Sequence, residues 1–192
     1  MKRFALPVLL VATAWGLQAQ APAPAPPPAQ PQAPTMSQSF NRNLSGLEQE
    51  VVSLVEAMPE EKFGFAPTQG EFKGVKTFAE QAKHIAAANV MFASGILEEK
   101  PAMDPGGDNG PDTLKSKAEI VKFLKDSFAY MHKALNTVTE ANVMGLVKSP
   151  WGPNKATRLG LITMAHGHGF DHYGQLVVYL RMNGLVPPAS RK

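Results

Sequence analysis

The 192-residue chain has no cysteine. That excludes a disulfide framework, a zinc–thiolate site, a thiol nucleophile and Cys-x-x-Cys-His haem attachment. Any metal must be held by histidine, carboxylate or water. Charge of one sign is also lacking. The formal charge is +3, and without Lys2 and Arg3 the balance is 17 basic against 16 acidic residues, so bulk charge makes no case for nucleic-acid binding. No apolar run reaches the ~18 residues of a membrane-spanning helix, and no stretch alternates cleanly enough to read as a convincing strand. The His-Glu-x-x-His motif is missing, because Gly169 stands where its glutamate belongs in His168-Gly-Phe-Asp-His172. A zincin protease is thereby disfavoured. No Glu-x-x-His pair projects inward, which disfavours a di-iron carboxylate bundle.

What is present begins with an export pattern. Lys2-Arg3 precedes an apolar stretch from Phe4 to Trp15, about a dozen residues and too short to cross a bilayer. Cleavage is expected near Ala19-Gln20, with Leu17 larger than the usual small residue at that register. Residues 1–19 are therefore read as a signal peptide, with an uncleaved N-terminal tether as the alternative, and the mature protein is expected in the periplasm or secreted. Residues 20–36 are a Pro/Ala/Gln-rich linker of polyproline II character. The folded domain is expected over 37–188, with a short tail at 189–192.

Four amphipathic helices fill that domain. Phe40, Leu44, Leu47, Val51, Leu54 or Val55, and Met58 form the seam of the first, from about Ser37 until Pro59 stops it. The second starts at the capping box Thr77-Phe-Ala-Glu80 and the third at Ser116-Lys-Ala-Glu119. The fourth runs from an N-cap at Thr157 to a stop at Gly184. Its buried face carries Leu161, Ala165, His168, His172, Leu176 and Tyr179, which recur at spacings of three and four. The class is all-α, a four-helix bundle. The connections run to about sixteen to eighteen residues, longer than is usual in bundles. The Pro-Gly-Asp-rich loop at 100–115 lacks EF-hand spacing and is read as a plain loop.

His168 and His172 stand one turn apart in the middle of an apolar stripe. Buried imidazoles need polar partners, and two at i and i+4 can grip one cation. A third imidazole from another helix would complete an open three-ligand site, which zinc, nickel or iron(II) would accept and which leaves room for water or substrate. His84 lies at the edge of the second helix's inner stripe, a position that suits either a ligand or a half-exposed histidine. His166 points away from the pair and is excluded, and His132 is read as a surface histidine. Asp171 and Gln175 flank the pair and are candidates to orient an imidazole. Asn89, on the inner stripe of the second helix, and Trp151, between two prolines, are candidate pocket residues; Trp151 can equally cap the bundle end.

The stretches Phe78-Ala-Glu-Gln-Ala-Lys-His-Ile-Ala-Ala-Ala-Asn89 and His168-Gly-Phe-Asp-His-Tyr-Gly-Gln175 with the following Tyr-Leu-Arg resemble the DinB-like superfamily. Its members are similar to bacterial thiol-dependent transferases and the mycothiol-dependent isomerase. Many carry His-Arg-Gly-Gln where this chain has His172-Tyr173-Gly174-Gln175. The resemblance implies an up-down-down-up four-helix bundle and a metal triad of His84, His168 and His172. It also implies a pocket over the metal, a low-molecular-weight thiol as co-substrate in some members, and pairing into a homodimer. Two functions stay open, beside a purely structural bundle that would bind no metal. One is a divalent-metal-dependent transferase or hydrolase that activates a thiol or water for a small-molecule substrate. The other is a non-catalytic exported bundle that binds metal or a small ligand in a stress response.

Overall fold

The computed structural model describes residues 32–191. The signal peptide and most of the proline-rich linker lie outside the described residues. Helix α1 spans Met36–Ala57, α2 Phe78–Leu97, α3 Lys117–Leu135 and α4 Arg158–Met182. Each of the first three opens on a capping box: Thr35 with Gln38, Thr77 with Glu80, and Ser116 with Glu119. In each, the cap side chain takes an orphan helix N–H while the third residue reaches back to the cap's own N–H. Thr157 caps α4 through the N–H of Gly160. At the other end Gly184 adopts the left-handed φ of 74° that ends a helix readily only at glycine.

Contacts at the helix ends define the topology. Lys117, at the start of α3, donates to the carbonyls of Glu56 and Met58 at the end of α1, so α1 and α3 are antiparallel. Tyr130 and Lys133, near the end of α3, both bond Glu99, just past the end of α2, so α2 and α3 run the same way. Arg158, opening α4, donates to the Ile96 carbonyl and the Glu98 carboxylate at the end of α2, so those two are antiparallel. Tyr173 on α4 meets Glu50 on α1. The order is up-down-down-up. Helix α2 packs on α3 and α4, α1 packs on the same two, and α1 and α2 face each other across the diagonal.

Apolar seams of all four helices meet in one core that includes Leu47, Phe78, Phe92, Leu124, Phe128 and Leu180. Leu54 and Val55 are both fully buried. Helix α4 packs tightly on α1 at Gly169, where a Cβ would stand 2.6 Å from the Leu47 side chain.

Two features depart from the sequence reading. The loop before α4 contains a small antiparallel hairpin, β1 Leu146–Lys148 with β2 Lys155–Thr157. Three residues per strand are too few to show a period of two, and Val147 is the only residue of β1 that is buried. His132 is not a free surface histidine. It is partly buried between α3 and α1, 2.5 Å from Asn41 Oδ1 and 3.1 Å from Glu48 Oε2. Both partners come from a helix about 90 residues earlier, which spacing within α3 cannot reveal.

Candidate metal centre

Antiparallel packing of α2 on α4 sets two short ladders face to face. On α2, Gln81 and His84 lie one turn apart. On α4, His168, His172 and Gln175 follow at i, i+4 and i+7. His84 meets His168, with their Nε2 atoms 3.0 Å apart. The ring centroids of His84 and His172 are 4.6 Å apart, and those of His168 and His172 4.4 Å. One nitrogen from each ring lies within 4.8 Å of the other two. The fourth helix thus presents its pair as its spacing predicts, and the second helix turns His84 inward to them.

The outer nitrogens fix the tautomers. His84 Nδ1 is 2.5 Å from the backbone carbonyl oxygen of Asp108. A carbonyl only accepts, so Nδ1 carries the proton and Nε2 keeps its lone pair. His172 Nδ1 is 2.6 Å from Gln81 Oε1. The orientation of that amide is set in turn: Gln81 Nε2 donates to Gln175 Oε1 at 2.7 Å, and Gln175 Nε2 donates to Asp171 Oδ2 at 3.0 Å. A carboxylate at the surface end of this chain can only accept when ionised, so it orders both amides and leaves His172 as an Nδ1 donor.

Burial, then the neighbouring His84, holds the His168 pKa below the ordinary histidine value. Burial, then His168 and His84, takes His172 down to about 4. Both rings are therefore neutral near pH 7, the state in which an imidazole ligates. At the rim, the Lys76 ammonium beside Asp108 lowers that carboxyl's pKa, and the Asp108 Oδ1 is 3.4 Å from His84 Nδ1.

His84 and His168 line a cleft of about 560 Å³, a size typical of small-molecule sites. Residues of α2, α4, the loop at 105–108 and the tip of the hairpin wall it. Trp151 sits on that tip. Its ring packs edge-on against Phe92 at 4.5 Å, is half exposed and lines the cleft.

Not every candidate residue joins the cluster. Asn89 is five positions beyond His84, about 140° around the helix; it faces α3 and donates to Ser127 Oγ at 3.3 Å. Asp171 touches no imidazole and reaches His172 only through the two glutamines. His166 bonds back to the Ile162 carbonyl of its own helix, with Nε2 buried and without a hydrogen-bond partner among the described residues. Sequence reasoning missed Gln81 and Asp108. Gln81 had a signal, since it stands three residues before His84 and so on the same face. Asp108 had none, because it contributes a backbone carbonyl from the loop read as plain.

With Nδ1 of His84 and of His172 tied up as donors, those two rings keep an Nε2 lone pair for an ion, and His168 brings its Nε2 to 3.0 Å from that of His84. Two nitrogens bound to one ion at about 2.0–2.1 Å lie roughly 3.0–3.4 Å apart, and the His84–His168 separation fits that range. The donor set suits a divalent first-row metal with free positions toward the cleft.

The family model of the DinB superfamily matches residues 43–176. The chain belongs to the DinB superfamily. Solved structures agree on the fold. A DinB-like protein from Bacillus cereus is 18% identical with a TM-score of 0.62, covering 78% of this chain and 93% of that one. A conserved protein from Enterococcus faecalis is 16% identical at a TM-score of 0.62, over 78% of this chain and 98% of that one. A DinB-like protein from Bacillus subtilis is 19% identical at 0.61, over 80% and 99%. No curated protein sequence matches the chain.

Proposed function

We propose that this DinB-superfamily protein is an exported, divalent-metal-dependent enzyme, with His84, His168 and His172 as metal ligands and a thiol or water as the activated nucleophile. The observation that carries the reading is the convergence of three ligand nitrogens within 4.8 Å at the edge of an open cleft. A bound divalent cation would lower the pKa of a thiol or water and so supply a nucleophile near neutral pH. The chain's own residues hold and orient. Gln81 keeps the His172 proton on Nδ1, and the Asp108 carbonyl does the same for His84. Zinc, nickel and iron(II) all fit three imidazoles. Export is supported by the Lys2-Arg3 pair, the apolar stretch after it and the proline-rich spacer.

A second reading is a non-catalytic exported binder of metal or a small ligand. It is favoured by the scarcity of acid–base groups: among the described residues, the titratable side chains lining the cleft are His84, His168 and Asp108. Elemental analysis of protein purified without added metal or affinity tag, beside a His168→Ala variant, tests metal binding. Equal metal content in the two overturns it. Metal-dependent consumption of a thiol with a model electrophile, or hydrolysis of a model ester, then distinguishes enzyme from binder. N-terminal sequencing of the protein from cell fractions tests export.

A further inference from the structure

The cleft beside the histidines is chemically one-sided. Ala88, Met91 and Phe92 of α2, Met164 of α4 and Trp151 of the hairpin tip line it, with the Trp151 ring against that of Phe92. Trp151 and Met164 are 49% and 58% exposed, large apolar side chains left facing the opening. Among the described residues, no lysine or arginine lines the cleft. Of the cations on the surrounding elements, Lys148 and Lys155 of the hairpin are exposed and do not line the cleft, and three others are held by partners. Lys76 holds Asp108 and Asn109, Lys83 donates to the Pro111 carbonyl, and Arg158 holds Glu98. Among the described residues, the charged side chain that lines the cleft is Asp108, which is paired with Lys76.

These walls discriminate by charge. An apolar body gains by leaving water for methyl, thioether and aromatic surface. A carboxylate on that body, away from the histidine end, would lose hydration with no lysine or arginine on the walls to replace it, and Asp108 is on the same walls. We propose that the cleft selects a small substrate with an aliphatic or aromatic body free of negative charge, carrying one donor group at the end that meets the histidines, and that it rejects polyanionic thiols. The donor end rests on the metal reading above; the selection by the walls does not.

Trp151 and Trp15 are the two tryptophans of the chain, so in protein lacking residues 1–19, or in a Trp15→Phe background where they are kept, fluorescence reports on the cleft. The test titrates benzyl mercaptan and mercaptosuccinate into metal-loaded protein and measures metal content on the same samples. Benzyl mercaptan is expected to bind about tenfold or more tighter. Met164→Lys, a change at an exposed position that spares the core, puts a cation on the wall and is expected to narrow or reverse that ratio. Equal or tighter binding of mercaptosuccinate by the unaltered cleft, or a ratio unmoved by Met164→Lys, overturns the proposal while leaving the metal site standing. A protein that takes up no metal ends the metal reading instead. The selection is then read on that protein with benzyl alcohol against succinate, with the same two outcomes.

Discussion

His172 donates through Nδ1 to the Oε1 of Gln81, 2.6 Å away across the α2–α4 interface. Gln81 is nearly fully buried, and its other amide atom is taken by Gln175. The glutamine can therefore present only its oxygen to the imidazole. Gln81→Leu removes that acceptor at nearly constant volume. Metal affinity, measured by competition with a chromophoric chelator, should fall about 10–100-fold, while helical circular dichroism stays unchanged. Unchanged affinity would mean that the contact does not orient the ring.

His168→Ala should abolish stoichiometric metal binding, and His166→Ala should leave it intact, since His166 bonds its own helix. The same pair can be read by thermal denaturation. Metal at about 100 times its Kd should stabilise the wild-type protein by about 2.7 kcal/mol, with a matching rise in Tm. His168→Ala should show no such rise.

Acid should weaken the metal-free protein through these rings. Histidines in the unfolded chain titrate near about 6.5, whereas folding holds His172 at about 4 and His168 below its ordinary value. In the interval the unfolded state binds more protons. The contribution to stability is thus complete above the unfolded pKa and is lost as the pH falls toward the folded one. Urea unfolding between about pH 7 and pH 5 should show falling stability, with a shallower slope in His172→Ala. Equal slopes in the two proteins would refute the assignment.

The loop over the site should prove intolerant at Gly110. Its φ is +72°, and a Cβ there would stand 2.6 Å from Lys83 Cβ and 3.0 Å from the Lys83 backbone. Gly110→Ala should cost about 1–3 kcal/mol in chemical denaturation. It should also loosen the Asp108 carbonyl from His84, seen as weaker metal binding than at a control glycine such as Gly64, around which the space is open.

Some of this was legible in one dimension because the forces involved are local. The Thr77–Glu80 and Ser116–Glu119 boxes close within four residues, and Gly184 and Pro59 end helices through their own backbone limits. The i, i+4 spacing of His168 and His172 follows from helix geometry alone. Those elements could be placed without knowing the fold. His84 could not be assigned from its own helix, since an edge position serves a ligand and a solvated side chain equally well. Its role as a partner of the pair was supplied in advance only by family resemblance.

What tertiary structure alone decided were relations between segments far apart in the chain. Gln81 and His172 are 91 residues apart, and Asn41 and His132 the same. Asn89 carries the same amide chemistry as a pocket residue, yet the helix turns it to Ser127. Asp108 matters through a backbone carbonyl, which every residue has. Caps, stops and helical faces are written in neighbouring side chains. Which polar atom meets which across an interface depends on how the helices pack, and that follows from the whole core at once.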